Sequence, residues 1–291
     1  MANMNIRVAA NRRAYLNAGC GTHFSPEWNN IDICSGPGVT GFDIRKPLPY
    51  PDNSFDAVYC SHVLEHLDPR LGANFVRELY RVCRQGGVCR IVVPDYELTC
   101  REYLRWLEIA VDEPSEEKLR NYRWSVLEVV DQFVRDKCGG QMLKALNSRD
   151  FDEEYVRQRN GDEFQVWYGS QAGETQMCSD PTQESLGIQQ TLMKIMKKGF
   201  AVPLAIRRKI RAHIASPAAT GELHKWIYDR LSLRLLLEEA GYADVRVESY
   251  DTSAMPEWKL YGLDTAASGD GPRKPDSLYM EGIKPSVTAG L

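Results

Sequence analysis

Over residues 13–100 short apolar runs alternate with turn residues, and each run has the length of a strand. AYLNAG closes on a glycine, NNIDIC and FDAVYC follow, and GGVCRIVVP stops at Pro94. Continuous apolar runs of this length, bounded by turn signals, fit strands buried on both faces of a sheet. Between the last two, HVLEHLDPRLGANFVRELYRVCRQGG sets Phe75, Leu79 and Val82 at helical spacing, and Gly86-Gly87 reads as its stop. Strand–helix–strand in this rhythm implies parallel pairing with a right-handed crossover. The predicted class is α/β.

The pattern changes after Thr99. Tyr103, Leu104 and Leu107, then Trp124, Leu127 and Val130, recur at helical spacing among many charges. Residues 137–187 hold Gly, Gln, Ser and Asp clusters, so helices there should be shorter. Strand signals return only at DVRVESY (244–250) and SLYMEGIK (277–284), the first preceded by the helix-like LSLRLLLEEAG with Gly241 past its last turn. The expected organisation is one α/β domain, 1–100 plus 222–291, interrupted by a helical insertion over 101–221.

Composition narrows the class. With 36 Lys+Arg against 40 Asp+Glu the net charge is −4, and 43% of residues are apolar, which disfavours disorder and a basic nucleic-acid coat. No stretch approaches the roughly 20 apolar residues needed to cross a bilayer, and MANMNIRVAANRR lacks the apolar run of a secretory signal. A soluble, cytoplasmic protein is expected. The eight cysteines form no C-x-x-C, and several sit in apolar runs, so they read as reduced core thiols.

The strongest chemical signal is the strand that runs into Gly19-Cys20-Gly21. Two glycines let the backbone turn sharply and approach a ligand with no Cβ in the way. A dinucleotide site would want a third glycine where Phe24 stands, so NAD is disfavoured. The next strand ends in Asp32, a carboxylate placed to accept both hydroxyls of a ribose. Asp43 follows as an acceptor suited to an adenine amino group, and a turn or capping role is the plain alternative for both acids.

Together YLNAGCGT, NNIDI, FDIRKPLPYPDNSFDAVYCSHVLEHL, RVCRQGGVCRIVVPD and SLYMEGIK resemble the class I S-adenosylmethionine-dependent methyltransferases. The resemblance implies a Rossmann-like seven-stranded sheet with an antiparallel closing strand, and S-adenosylmethionine as cofactor. It places the methionyl part on the turn Asn17, Ala18, Gly19, Cys20 and Gly21, with Ser61 and His62 on the same side. The ribose falls to Asp32 with Ile33, and the adenine to Asp43 with Ile44. Asn17 stands where an acid is common in the family, and His23 where a third glycine often sits. WSVLEVVDQFVRDKCGGQM, HKWIYDRLSLRLLLEEAGY and KPDSLYMEGIK look most like methyltransferases of polysaccharide and glycoconjugate biosynthesis. That resemblance implies a hydroxyl of a sugar, glycoconjugate or other small metabolite as acceptor.

Methyl transfer to a hydroxyl needs in-line alignment and a place for the proton. His66 and Asp95 are the candidate bases at the C-terminal edge of the sheet, with helix capping as the plain alternative for Asp95; His224 is a third candidate. Trp106, Trp124 and Trp167 are available as a sugar-stacking wall or as core. Two other readings compete. His62-Val63-Leu64-Glu65-His66 spells H-x-x-E-H, in which a helix would set both histidines on one face for zinc with Glu65 as base. The acid-free stretch 185–221 carries Lys194, Lys197, Lys198, Arg207, Arg208, Lys209 and Arg211, with Val202, Ile206, Ile210 and Ile214 four apart. Such a basic amphipathic stretch can pack on a core, lie on an anionic membrane or bind an anionic substrate; a nucleic-acid methyltransferase or a non-catalytic cofactor-binding module are the further alternatives.

Overall fold

The computed structural model describes residues 5–9, 13–133, 140–169 and 223–286. Its centre is one seven-stranded sheet, β1 (Tyr15–Ala18), β2 (Asn29–Asp32), β3 (Val39–Gly41), β4 (Phe55–Ser61), β5 (Cys83–Pro94), β6 (Ala243–Glu248) and β7 (Ser277–Ile283), in the order β3-β2-β1-β4-β5-β7-β6. The first five strands are parallel, while β7 runs antiparallel to both β5 and β6, as expected of the closing strand. The order reverses at β1 and β4, and a doubly wound sheet opens its ligand crevice at the carboxyl ends of such strands.

Three features depart from the sequence pattern. β3 has no apolar run, and only its pairing with β2, Asn30 to Val39 and Asp32 to Gly41, makes it a strand. The helix α1 (Pro69–Val82) starts later than His62: Asp68 caps it by accepting from the backbone N–H groups of Arg70 and Leu71, with Pro69 at the first position. Gly86 and Gly87 do not end it. They lie inside β5, where a Cβ on Gly87 would come within 2.7 Å of the Cys83 sulfur and 2.9 Å of the Asp56 carbonyl oxygen. Gly87 serves close approach to β4, where the register shifts between Phe55 and Ala57, and Gly86 takes φ +73°.

The two faces of the sheet are covered differently. Phe75, Val76, Leu79 and Val82 of α1, and Leu233 and Leu237 of α7 (Arg230–Ala240), pack on Leu16, Ile31, Val58, Ile91 and Met280. Asp229 and Ser232 close α7 with a capping box, and Gly241 at φ +108° ends it in the left-handed region, as the sequence pattern predicts. On the opposite face residues 19–28 form turns with no helix, and aromatic side chains fill in: Trp28 stacks on Tyr15 at 4.8 Å, beside Tyr59, Trp258 and Tyr261. Buried Arg90 is held there by Asp264 at 2.8 Å and Glu281 at 3.0 Å, and lies over the Trp258 ring.

The described part of the insertion is helical, with α2 (Tyr96–Asp112), α3 (Glu116–Phe133), and the shorter α4 (Gly140–Ser148), α5 (Glu153–Asn160) and α6 (Asp162–Gly169). It has its own core of Trp124, Met142, Leu146, Tyr155, Val156 and Phe164. Trp124 is therefore core, its indole N–H donating to buried Glu128, and not an acceptor wall; Trp106 packs edge-on against Tyr155 at the border of the same cluster. Leu104 and Val130 lie on helices as their spacing predicts, and both are exposed. The basic stretch 185–221 and the Trp167 side chain lie outside the described residues. Among the described residues no helix is long and apolar enough to cross a membrane.

Candidate cofactor and acceptor site

β1 is buried along its whole length between β2 and β4, so it delivers the glycine turn to a fixed place at the sheet's edge. Gly19 takes φ +74° and Gly21 φ +52°, both left-handed. A Cβ on Gly19 would stand 2.4 Å from a methyl of Val63, whereas a Cβ on Gly21 would meet open space. Gly19 donates its N–H to the Ile31 carbonyl at 2.8 Å. Asp32 then clamps the turn: one carboxylate oxygen accepts the Gly21 N–H at 2.9 Å, the other the Cys34 N–H at 3.0 Å.

A cleft of about 360 Å³ opens here, lined on one side by Gly19, Gly21, Asp32, Ile33, Asp43 and Ile44. Ile33 is 51% exposed, an apolar side chain left uncovered at a strand end facing the cleft. Asp43 is gripped by Arg45, which donates from Nε at 2.8 Å and from Nη2 at 3.0 Å; the guanidinium hydrogen bonds hold the carboxyl below its usual range. That ion pair occupies part of the acceptor capacity assigned to adenine. The volume, the apolar walls and the two carboxylates fit a nucleoside-bearing ligand of modest size.

At the far end the cleft is lined by His62, Val63, His66, Leu67 and Lys225. His62 ends β4 in the left-handed region, φ +53°, an uncommon conformation outside glycine. Its backbone N–H donates to Val92, its Nε2 is 2.9 Å from the Ser277 hydroxyl, and its Nδ1 is 3.3 Å from Glu65 Oε1. Burial, then the charges of Lys274 and Arg273, hold this imidazole well below its ordinary range, so it is neutral at pH 7. Glu65 and His66 sit on a single 3₁₀ turn, 64–66. The helix-face pairing of His62 with His66 expected for an H-x-x-E-H metal site is thus not formed, because the chain leaves β4 through a left-handed residue and a tight turn.

The remaining predicted residues fall outside the lining. Asn17, Ala18 and Cys20 are buried beneath the turn, and Ser61 ends β4 without reaching the cleft wall. Asp95 is the N-cap of α2: its carboxylate accepts the Leu98 N–H at 3.1 Å and its own N–H donates to Asp276. It is a capping residue and is not brought into the cleft. Sequence reasoning missed Cys34, Arg45, Val63, Leu67 and Lys225. The first four adjoin residues it did select, and Lys225 adjoins His224, the third candidate base; Lys225 reaches the cleft because the backbone N–H groups of Lys225 and Trp226 donate to the Glu65 carbonyl.

Residues 37–91, from β3 into β5, match a family described as a methyltransferase domain. A curated protein of Aspergillus luteorubrus, named probable methyltransferase ltbC, is 39% identical over 57 residues, 18% of this chain and 20% of its own length. The chain thus spans about a fifth of that relative. Among solved structures, a SAM-dependent methyltransferase from Archaeoglobus fulgidus aligns at TM-score 0.38 and 14% identity, covering 94% of this chain and 86% of its own. One from Thermotoga maritima, described as a possible histamine N-methyltransferase, aligns at 0.36 and 11% identity over 94% and 82% of the two chains. Asp43, His62 and His66 lie within the stretch that is similar to a methyltransferase domain.

Proposed function

We propose that this chain is an S-adenosylmethionine-dependent methyltransferase that acts on a hydroxyl of a sugar, glycoconjugate or other small metabolite. The observation that carries the cofactor reading is the cleft itself, which gathers Gly19, Gly21, Asp32, Ile33, Asp43 and Ile44 at the carboxyl edge of β1 and β2. When bound, S-adenosylmethionine supplies a methyl group already activated on its sulfonium. The protein's tasks are then to bind, align and manage one proton. Asp32 takes the ribose hydroxyls while it holds the turn, Ile33 and Ile44 give the base its apolar walls, and the open side of Gly21 lets backbone approach the ligand. The acceptor belongs at the His66 and Lys225 end, beside the helical insertion, and the polar cluster there receives its proton. Alignment of this kind supplies up to about 7–11 kcal/mol, and proton removal a further factor of about 10²–10⁴.

Calorimetric titration of S-adenosylhomocysteine into the folded protein tests the cofactor reading: one micromolar site is expected, and no binding overturns it. Incubation with methyl-labelled S-adenosylmethionine and a panel of glycosides and nucleotide-sugars tests the acceptor. Label on oxygen supports the hydroxyl reading, and label on nitrogen or carbon refutes it.

A further inference from the structure

Behind the cleft, Glu65, His66 and His224 each place one potential ligand atom within 4.8 Å of the others. The two histidines come from segments 158 positions apart in sequence, and their rings meet at 4.8 Å between centroids. Glu65 is buried, with its carboxylate 3.9 Å from Nε2 of His66.

The tautomers follow from the partners. Nδ1 of His66 lies 3.3 Å from the Leu223 carbonyl, and Nδ1 of His224 lies 3.0 Å from the Gln132 carbonyl. A carbonyl oxygen only accepts, so in each neutral ring Nδ1 carries the proton and Nε2 carries the lone pair. An imidazole whose one N–H is held by a backbone carbonyl while the other nitrogen is presented as a base is the usual outer-shell arrangement of a metal-ligating histidine. From these contacts we infer that Glu65, His66 and His224 form a binding site for one divalent transition-metal ion.

Two imidazoles and one carboxylate favour a borderline cation such as Zn²⁺ or Co²⁺ over Mg²⁺ or Ca²⁺, which prefer all-oxygen shells. Metal–ligand bonds of about 2.1 Å set tetrahedral ligand atoms about 3.4 Å apart, so the widest separation in the cluster contracts by up to about 1.4 Å on loading. The elements permit this, since His66 lies on one 3₁₀ turn and His224 on irregular chain. Three protein ligands leave a coordination position open. Nδ1 of His62 lies 3.3 Å from the same carboxylate.

The site differs in membership from the H-x-x-E-H reading: His224 replaces His62, and Glu65 is a ligand where that pattern makes it a base. Metal binding does not depend on the cleft accepting S-adenosylmethionine. Its use does rest on that proposal: His66 lines the cleft, so the open position can take an acceptor oxygen and lower the pKa of its hydroxyl. His66 is then a ligand, and the acceptor's proton, made more acidic by the cation, would pass to solvent water.

The test is titration of CoCl₂ into the chelator-stripped full chain, read by visible absorption and by proton NMR. One Co²⁺ per chain is expected, with visible d–d bands and two paramagnetically shifted exchangeable signals from the two Nδ1–H groups. His224→Asn keeps a donor for the Gln132 carbonyl, and Glu65→Gln keeps volume. Each should weaken Co²⁺ by at least about tenfold, as loss of an ordering contact to a metal does, and His224→Asn should remove one shifted signal. S-adenosylhomocysteine binding by the variants reports that they fold, and a cofactor failure is thereby separate from a metal failure. No Co²⁺ or Zn²⁺ uptake by the wild-type chain overturns the inference, as does binding unchanged in a folded His224→Asn. If Glu65→Gln fails to fold, the wild-type titration and His224→Asn still decide.

Discussion

Asp32 is the sharpest place to perturb the cofactor cleft, because the structure gives it two tasks that can be measured apart. Its carboxylate accepts the Gly21 N–H at 2.9 Å and the Cys34 N–H at 3.0 Å, and its remaining lone pairs are those assigned to the ribose. Hydrogen bonds to a charged acceptor contribute about 1.5–3 kcal/mol each, with the low end appropriate to groups that face solvent. Asp32→Ala should therefore weaken S-adenosylhomocysteine by about 2–3 kcal/mol, on the order of 30- to 150-fold. The turn is local, so global stability should fall by only about 1 kcal/mol, the scale of a lost cap. Asp32→Asn should do no better than alanine: it has one acceptor oxygen for two backbone donors, and its amide would face an N–H. Calorimetry gives the affinity and urea unfolding the stability. A folded Asp32→Ala chain that binds within about twofold of wild type would falsify the ribose assignment.

Three further expectations follow from packing and charge. Gly19→Ala drives a Cβ into Val63 while Gly21→Ala points into open space, so the first should cost about 2–4 kcal/mol by urea unfolding and the second about 1 kcal/mol from its positive φ alone. Adding Val63→Ala should restore part of the Gly19→Ala loss, and no restoration would show that the contact is not the cause. Arg90→Met strands two buried carboxylates, Asp264 and Glu281, and should cost about 3–5 kcal/mol in the same assay. Burial of Glu128 outweighs its pairing with Arg159 and raises its carboxyl to about 7. A raised carboxyl binds protons more tightly in the folded state, so this stability is full below the ordinary pKa near 4.5 and is lost as pH climbs to about 7. Glu128→Gln should flatten that slope, worth on the order of 3 kcal/mol, in urea unfolding at pH 5 and pH 8; an unchanged slope refutes the assignment.

The parts of the fold that could be read in advance were those whose cause is local. β1, β4 and the second half of β5 are mostly apolar because each is covered by neighbouring strands and by layers on both faces. Helix α7 announces itself through its apolar run and Gly241, which acts within the helix's own last turn. The glycine turn and Asp32 were legible for the same reason, since an acid eleven residues after Gly21 reaches back to that glycine's own N–H. β3 was illegible because its three residues become a strand only by lying beside β2. Gly86 and Gly87 misled because a glycine pair after an apolar helix ordinarily marks its end, and the need for close approach to β4 exists only once β4 and β5 have paired.

The same distinction separates the two ends of the cleft. Its cofactor side is built from short-range geometry, and its His66 side is built by chain return. Spacing pointed to His62 and His66 as partners, on the premise that a helix carries both. The premise fails at one residue, His62, whose left-handed backbone turns its ring towards Ser277 and leaves His66 to face a histidine that follows the insertion. What fixes His224 in place is a pair of backbone contacts: Lys225 and Trp226 donate to the Glu65 carbonyl, and the Gln132 carbonyl at the end of α3 receives the ring N–H. Carbonyl positions are unreadable from side-chain spacing, so His224 stood in the sequence only as a third candidate base, with nothing to pair it with His66. The insertion thus contributes to the site through the end of α3, whose Gln132 carbonyl holds the His224 ring.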